Sequence, residues 1–203
     1  MEEERVPEAE ETEEIRSVHF EHYKRSQKIT LKNVIDFAVY LLIVVVLCLL
    51  FIRFVAVRSV VDGDSMNPLV YNGDNLIVEK VSYYFRAPER FDVIVFELKN
   101  EKGVHFIKRI VGLPGETVQI RDGAVYIDGK RLENDVYGLA EIQNAYLAGE
   151  PVELGENEYF VLGDNRNNSK DSRIIGPVER KQFLGRAFFR FFPFNKMGLI
   201  RHD

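Results

Sequence analysis

The feature that most constrains this chain is an apolar run of 19 residues, Val34–Ile52, interrupted only by Asp36 near its start. A helix crossing a bilayer takes about 20 mainly apolar residues to span roughly 30 Å of hydrocarbon. The run is apolar on every face, so it is not an amphipathic surface helix. A buried core helix of this kind would need far more protein around it than 203 residues supply. A cleavable leader would have a shorter apolar core and a small-x-small site after it, and the sequence has neither. The run therefore predicts one retained transmembrane helix.

Charge sets the expected orientation. Arg16, Lys24, Arg25, Lys28 and Lys32 precede the span, and basic residues stay on the cytoplasmic side. Arg53 and Arg58 weaken this asymmetry without reversing it. Met1–Glu14 is rich in glutamate and is expected to be a disordered tail. The predicted organisation is a cytoplasmic tail over 1–32, acidic and then basic, and an anchor over 33–57. An extracytoplasmic domain follows over 58–203, with a surface insertion near 133–157.

Beyond the anchor the pattern becomes that of short strands. Asp74–Lys80, Asp92–Phe96, Val104–Val111, Tyr159–Leu162 and Gly185–Phe191 are β-branched or aromatic. Val118–Arg121 and Ala124–Ile127 form a hairpin with Asp122-Gly123 and Asp128-Gly129 turns. Mainly β architecture is expected, a compact barrel or folded sheet. Phe188, Phe189, Phe191, Phe192 and Phe194 crowd the last strand, and alternation can bury only half of them. The rest are candidates for contact with the bilayer surface.

The net charge of −5 argues against a nucleic-acid partner. The single cysteine, Cys48, lies in the apolar run, which leaves no disulfide framework and no cysteine nucleophile in water. The histidines are scattered and no His-Glu helix motif appears, so no metal or organic cofactor is expected.

Three segments carry candidate chemistry. In Asp62-Gly63-Asp64-Ser65-Met66-Asn67-Pro68, Gly63 and Pro68 shape a turn able to expose the Ser65 hydroxyl. Such a serine needs a base. His19 and His22 fall on the cytoplasmic side and His202 in a stretch expected to fray, which leaves His105 and Lys108. Alternation places Lys108 on one strand face with Val104, Phe106 and Ile110, and His105 on the other with Ile107 and Arg109. A lysine on an apolar face is neutral, paired or near solvent, and a neutral lysine is a general base. The third segment, Gly163-Asp164-Asn165-Arg166-Asn167-Asn168-Ser169-Lys170-Asp171-Ser172-Arg173, is dense in short polar residues. It lacks the glycine and distal glutamate of a calcium loop. It suits a hydrogen-bonded support for a site.

Taken in order behind an N-terminal span, these segments resemble the type I signal peptidases (leader peptidases). The match rests on Asp64-Ser65-Met66-Asn67-Pro68, Phe91–Phe96, Lys108–Glu116 and Gly163–Arg173. The single span and compact outer domain look like the Gram-positive bacterial form. The resemblance implies Ser65 as nucleophile and Lys108 as general base, with Ser169 orienting the amine. It pairs Asp164 with Arg109 and Asp171 with Arg173 as supports. It implies a Ser65 backbone N–H in the oxyanion hole, with the second donor at the position of Gly63, where some members carry serine. Leu69 replaces a common threonine, and Phe91 a common glycine. Implied substrates are secretory preproteins with small residues at positions −3 and −1, accepted by a groove of Val61, Met66, Val70, Phe106 and Ile107. Implied partners are the bilayer and a nearby export machinery. Two rival readings are a catalytically inactive membrane-anchored β domain that binds exported chains and a self-cleaving Ser/Lys protease. The second lacks the DNA-binding domain it would need.

Overall fold

A computed structural model describes residues 31–98, 103–138 and 140–202. The glutamate-rich tail and the basic stretch up to residue 30 lie outside the described residues.

Helix α1 spans Leu31–Phe54. At 1.5 Å per residue it is about 36 Å long, enough to cross a bilayer. Its Leu31–Phe51 portion has a mean hydropathy of 3.0, and none of its residues is buried. Exposed leucine, isoleucine and phenylalanine along Leu31–Phe51 (Leu42, Ile43, Leu47 and Phe51 among them) is the arrangement that lipid, not water, solvates.

The remaining unit is mainly β. Its strands are β1 (Ala56–Val60), β2 (Asn75–Glu79), β3 (Val93–Glu97), β4 (His105–Gly112), β5 (Thr117–Arg121), β6 (Ala124–Ile127), β7 (Lys130–Arg131), β8 (Val152–Glu153), β9 (Glu158–Leu162), β10 (Val178–Glu179), β11 (Phe183–Phe192) and β12 (Gly198–Leu199). Two short helices, α2 (Ser82–Phe85) and α3 (Ser172–Ile175), join them. The larger sheet runs β1-β2-β11-β3-β4-β9-β10, with β12 added beside β11. A second sheet runs β7-β6-β5-β8. Every pairing is antiparallel. Neither sheet closes on itself, so the folded-sheet form holds and a closed barrel does not.

The central strands explain the uninterrupted apolar runs. Val93 of β3 packs in one buried cluster with Val61, Met66, Val70 and Leu76. Its neighbours Ile94 and Phe96 pack in another, with Ile110, Tyr159 and Val161. A strand covered on both faces has no polar side to alternate with. A third cluster joins the two sheets through Val111, Val118, Ile120, Phe160 and Leu162. The stretch expected as a surface insertion also feeds this cluster, through Ile142, Ala148 and Leu154. The Asp-Gly turns take the form read from sequence: Asp122, Gly123, Asp128 and Gly129 all have positive φ, as two-residue hairpin turns require.

Candidate active site

Ser65 sits in the turn between β1 and β2, over the cluster of Val61, Met66 and Val70. Backbone bonds close the turn on itself, from Asn67 N–H to Asp64 O, Val70 N–H to Met66 O and Gly73 N–H to Val61 O, and side chains and a second loop hold it as well. Asn72 Oδ1 accepts from Gly63 N–H at 3.1 Å. On the other side, Asn165 N–H donates to Ser65 O at 3.0 Å, and Asn165 Nδ2 donates to Asp64 O at 3.2 Å. Gly163 packs so closely there that a Cβ would collide with Ser169 Oγ and Ser65 O. The Gly163-Asp164-Asn165 segment thus carries the nucleophile's turn.

Lys108 reaches the same point from β4. Its Nζ lies 2.7 Å from Ser65 Oγ and donates to Ile107 O at 2.8 Å. The side chain is 3% exposed. Lys108 is paired across the sheet with Ile94 and lies near the Phe106 ring, as the alternation of β4 requires. Burial lowers its pKa from the ordinary 10.5 to about 8, while the charges of Asp171 and Asp164 push the other way. His105, on the opposite face, is exposed.

Those two carboxylates are committed elsewhere, which limits their pull on the amine. Arg109 grips Asp164 through Nε and Nη2 at 2.9 and 2.8 Å. Arg173 grips Asp171 through Nε and Nη2, both at 2.8 Å, and Asp171 also accepts from Gly163 N–H. All four side chains are buried. Paired, bidentate geometry is what makes such charges tolerable inside a protein.

Several expected residues stand differently. Ser169 Oγ is buried against Gly163 but has no hydrogen-bond partner among the described residues, so it does not touch the Lys108 amine here. Met66 and Val70 are fully buried in the core and do not line the groove. Val61, Phe106 and Ile107 do line it, with Ser65, Lys108, Asn168 and Lys170, around a volume of about 340 Å³. The Gly63 N–H is occupied by Asn72 and is not available as the second oxyanion donor. Asn72, Asn165 and His202 make contacts around the site to which the sequence reading assigned no individual role. The only available signal for Asn72 was its place in the Tyr71-Asn72-Gly73-Asp74 turn. Phe91, standing where glycine is common, has φ of 71°. That is a left-handed conformation glycine adopts at no steric cost. Its carbonyl accepts from Arg109 Nη1 at 2.9 Å, and its ring packs on Tyr137.

A serine hydroxyl held against a buried lysine whose pKa is brought near neutrality is the site of a Ser/Lys hydrolase. Residues 34–192 match the family described as signal peptidase, peptidase S26, and the chain belongs to that family. It is 44% identical over 155 residues to a probable signal peptidase I-2 of Synechocystis sp., covering 74% of this chain and 69% of that one. It is 39% identical over 175 residues to signal peptidase I S of Bacillus subtilis, covering 82% and 93%. It is 44% identical over 161 residues to signal peptidase I of Leptolyngbya laminosa, covering 76% and 77%. A crystal structure of a signal peptidase I from Enterococcus faecalis is 35% identical, with a TM-score of 0.42 over 50% of this chain and 97% of that one.

Proposed function

We propose that this protein is a membrane-anchored serine endopeptidase that removes N-terminal signal peptides from secretory preproteins through an acyl-enzyme on Ser65. The observation that carries the reading is the 2.7 Å approach of Ser65 Oγ to a buried Lys108 amine. Neutral Lys108 takes the Ser65 proton as Oγ attacks the scissile carbonyl. The Ser65 N–H donates to the resulting oxyanion. The lysine, now protonated, gives its proton to the leaving amine, and the same amine then activates the water that releases the acyl group. Asp164–Arg109 and Asp171–Arg173 hold the surrounding backbone, and Ser169 packs against Gly163, which itself lies against Ser65 O. A domain that only binds exported chains would have no use for a buried, unpaired lysine beside a serine, since burying that charge costs stability.

The groove supports the expected preference for small residues at −3 and −1, with Val61, Phe106 and Ile107 as its apolar lining. Strand β4 pairs with β9 only from Arg109 onward. The edge at His105–Lys108 is left beside the groove for an extended substrate to pair with. The basic residues before α1 support a cytoplasmic N-terminal tail and an extracytoplasmic β unit. Phe192, Phe194, Met197 and Leu199 are exposed together and support contact of that unit with the lipid surface, near the export machinery.

The test is cleavage of a preprotein by the full-length protein in vesicles, with the new N-terminus sequenced. Wild type is expected to cut after the small residues. Ser65→Ala is expected to remain folded and inserted with no cleavage. Full cleavage by Ser65→Ala would overturn the reading.

A further inference from the structure

The segment Ile200–His202 runs beneath the site, and the catalytic scheme above makes no use of it. Ile200 is 5% exposed and packs in the cluster under the nucleophile's turn, with Val61, Met66 and Val70. Its N–H donates to Phe188 O at 2.9 Å. The carbonyl of Arg201 accepts from Arg109 Nη1 at 3.4 Å, and that of His202 accepts from Tyr137 Oη at 3.4 Å. The Tyr137 ring lies 3.7 Å from the Arg109 guanidinium. This one segment therefore touches the support of Ser65 and the arginine next to Lys108.

The His202 ring is what fastens it. β3 and β11 pair up to Ile94 and Arg186 and then part. The imidazole fills the gap: Nδ1 accepts from Val93 N–H at 2.9 Å, and Nε2 donates to Ala187 O at 2.8 Å. An imidazole can do both at once only when neutral. The charged groups facing the ring are Asp92, 3.7 Å from Nδ1, together with Arg186 and Arg109. Burial, then Arg186, lowers the His202 pKa to about 4, against the pull of Asp92. The neutral form therefore holds at any pH where Lys108 is a base.

We propose that Ile200–His202 is a clasp, latched by the His202 imidazole across β3 and β11, that positions the dyad by holding Arg109 on Asp164. His202 touches neither substrate nor reacting atoms and is a positioning residue. It acts through the strand: Arg109 faces the clasp while Lys108 faces Ser65. Opening the clasp frees Arg109, restores part of the Asp164 charge to the surroundings of Lys108, and lets water reach β4. Both changes favour protonated lysine.

The inference rests on the peptidase reading, and its test separates the two. In full-length protein in detergent, His202→Ala is expected to lose hydrogen-exchange protection at the Val93 amide. It is also expected to move the acid limb of kcat/KM upward by about half a pH unit, a threefold loss below the limb. Activity is counted per molecule trapped by a serine-acylating probe, so unfolded protein does not contribute. His202→Asn, whose Oδ1 can still accept from Val93 N–H, is expected to recover part of both effects and serves if the alanine variant does not fold. An unmoved limb with the Val93 amide exposed would overturn the clasp as a positioning device. Unchanged Val93 protection would overturn the latch itself. If wild type cleaves no preprotein, the peptidase reading fails, while the exchange measurement still decides whether the latch exists.

Discussion

Replacing Lys108 by methionine should make the β unit inactive and, near neutral pH, raise its stability relative to wild type in a pH-dependent way. Folding lowers the lysine pKa from 10.5 to about 8. The unfolded chain therefore holds that proton more tightly than the folded one. Stability is full above pH 10.5, falls by about 1.4 kcal/mol per pH unit as the pH drops toward 8, and levels off below that. At pH 7 the accumulated loss is about 3 kcal/mol. Methionine has similar length and no charge. It loses the contacts to Ser65 Oγ and Ile107 O, at about 1 kcal/mol each, but that loss is nearly the same at every pH. The diagnostic is therefore the slope. The stability of Lys108→Met minus that of wild type should grow by about 3 kcal/mol between pH 10.5 and pH 7. Denaturant unfolding of the two proteins across that range measures it. Wild-type cleavage should rise through pH 8 over the same range. At pH 7 about a tenth of Lys108 is then free base, against fewer than about one in a thousand for an ordinary lysine. A stability difference that does not change with pH would refute the claim that the lysine is buried at a cost and works as a neutral amine.

Two further outcomes follow from close packing and from charge. Gly163→Ala should fold yet lose about a hundredfold or more in kcat, because the new methyl must displace Ser65 O or Ser169 Oγ; single-turnover acylation measures it, and normal acylation would count against the tight approach. Asp92→Asn should cost about 2–3 kcal/mol, since Asp92 is the shared acceptor of Arg86, Arg186 and Tyr83. Burial raises the Asp92 pKa, but Arg86, the Glu89 amide and Arg186 together hold it below the usual carboxylate range. Its contribution to wild-type stability should therefore be present above pH 4 and lost in stronger acid, as unfolding followed at pH 7 and pH 3 will show.

The sequence spoke most clearly where one physical constraint acted alone. An all-round apolar run of bilayer length has few alternatives, and α1 follows it. Lys108 was legible because period-2 alternation sets a charged residue among Val104, Phe106 and Ile110. The pairing of Asp164 with Arg109 and of Asp171 with Arg173 came from the resemblance, and the geometry agrees. The misses fall where no period applies. Met66 and Val70 lie in a turn, whose backbone assigns no inside or outside in advance, and both went to the core. Ile142, Ala148 and Leu154 looked like members of a surface loop, because isolated apolar residues in irregular chain carry no pattern. His202 was expected to fray, yet it bridges two strands more than ninety residues away in one case, at Val93. Nothing local announces such a contact.

That long reach has a bearing on when the protein becomes active. Lys108 and Ser65 are 43 residues apart, Arg109 and Asp164 are 55 apart, and Arg186 and Asp92 are 94 apart. Strand β11, which emerges after β1–β10 during synthesis, lies in the middle of the large sheet, between β2 and β3. Contacts of such separation close late, because the loops they complete must be ordered first. Ser65 and Lys108 are both made early, but the floor that holds them in register is not. A chain in synthesis therefore has no complete sheet beneath Ser65 and Lys108 until β11 has inserted, so the order of folding itself delays the onset of cleavage.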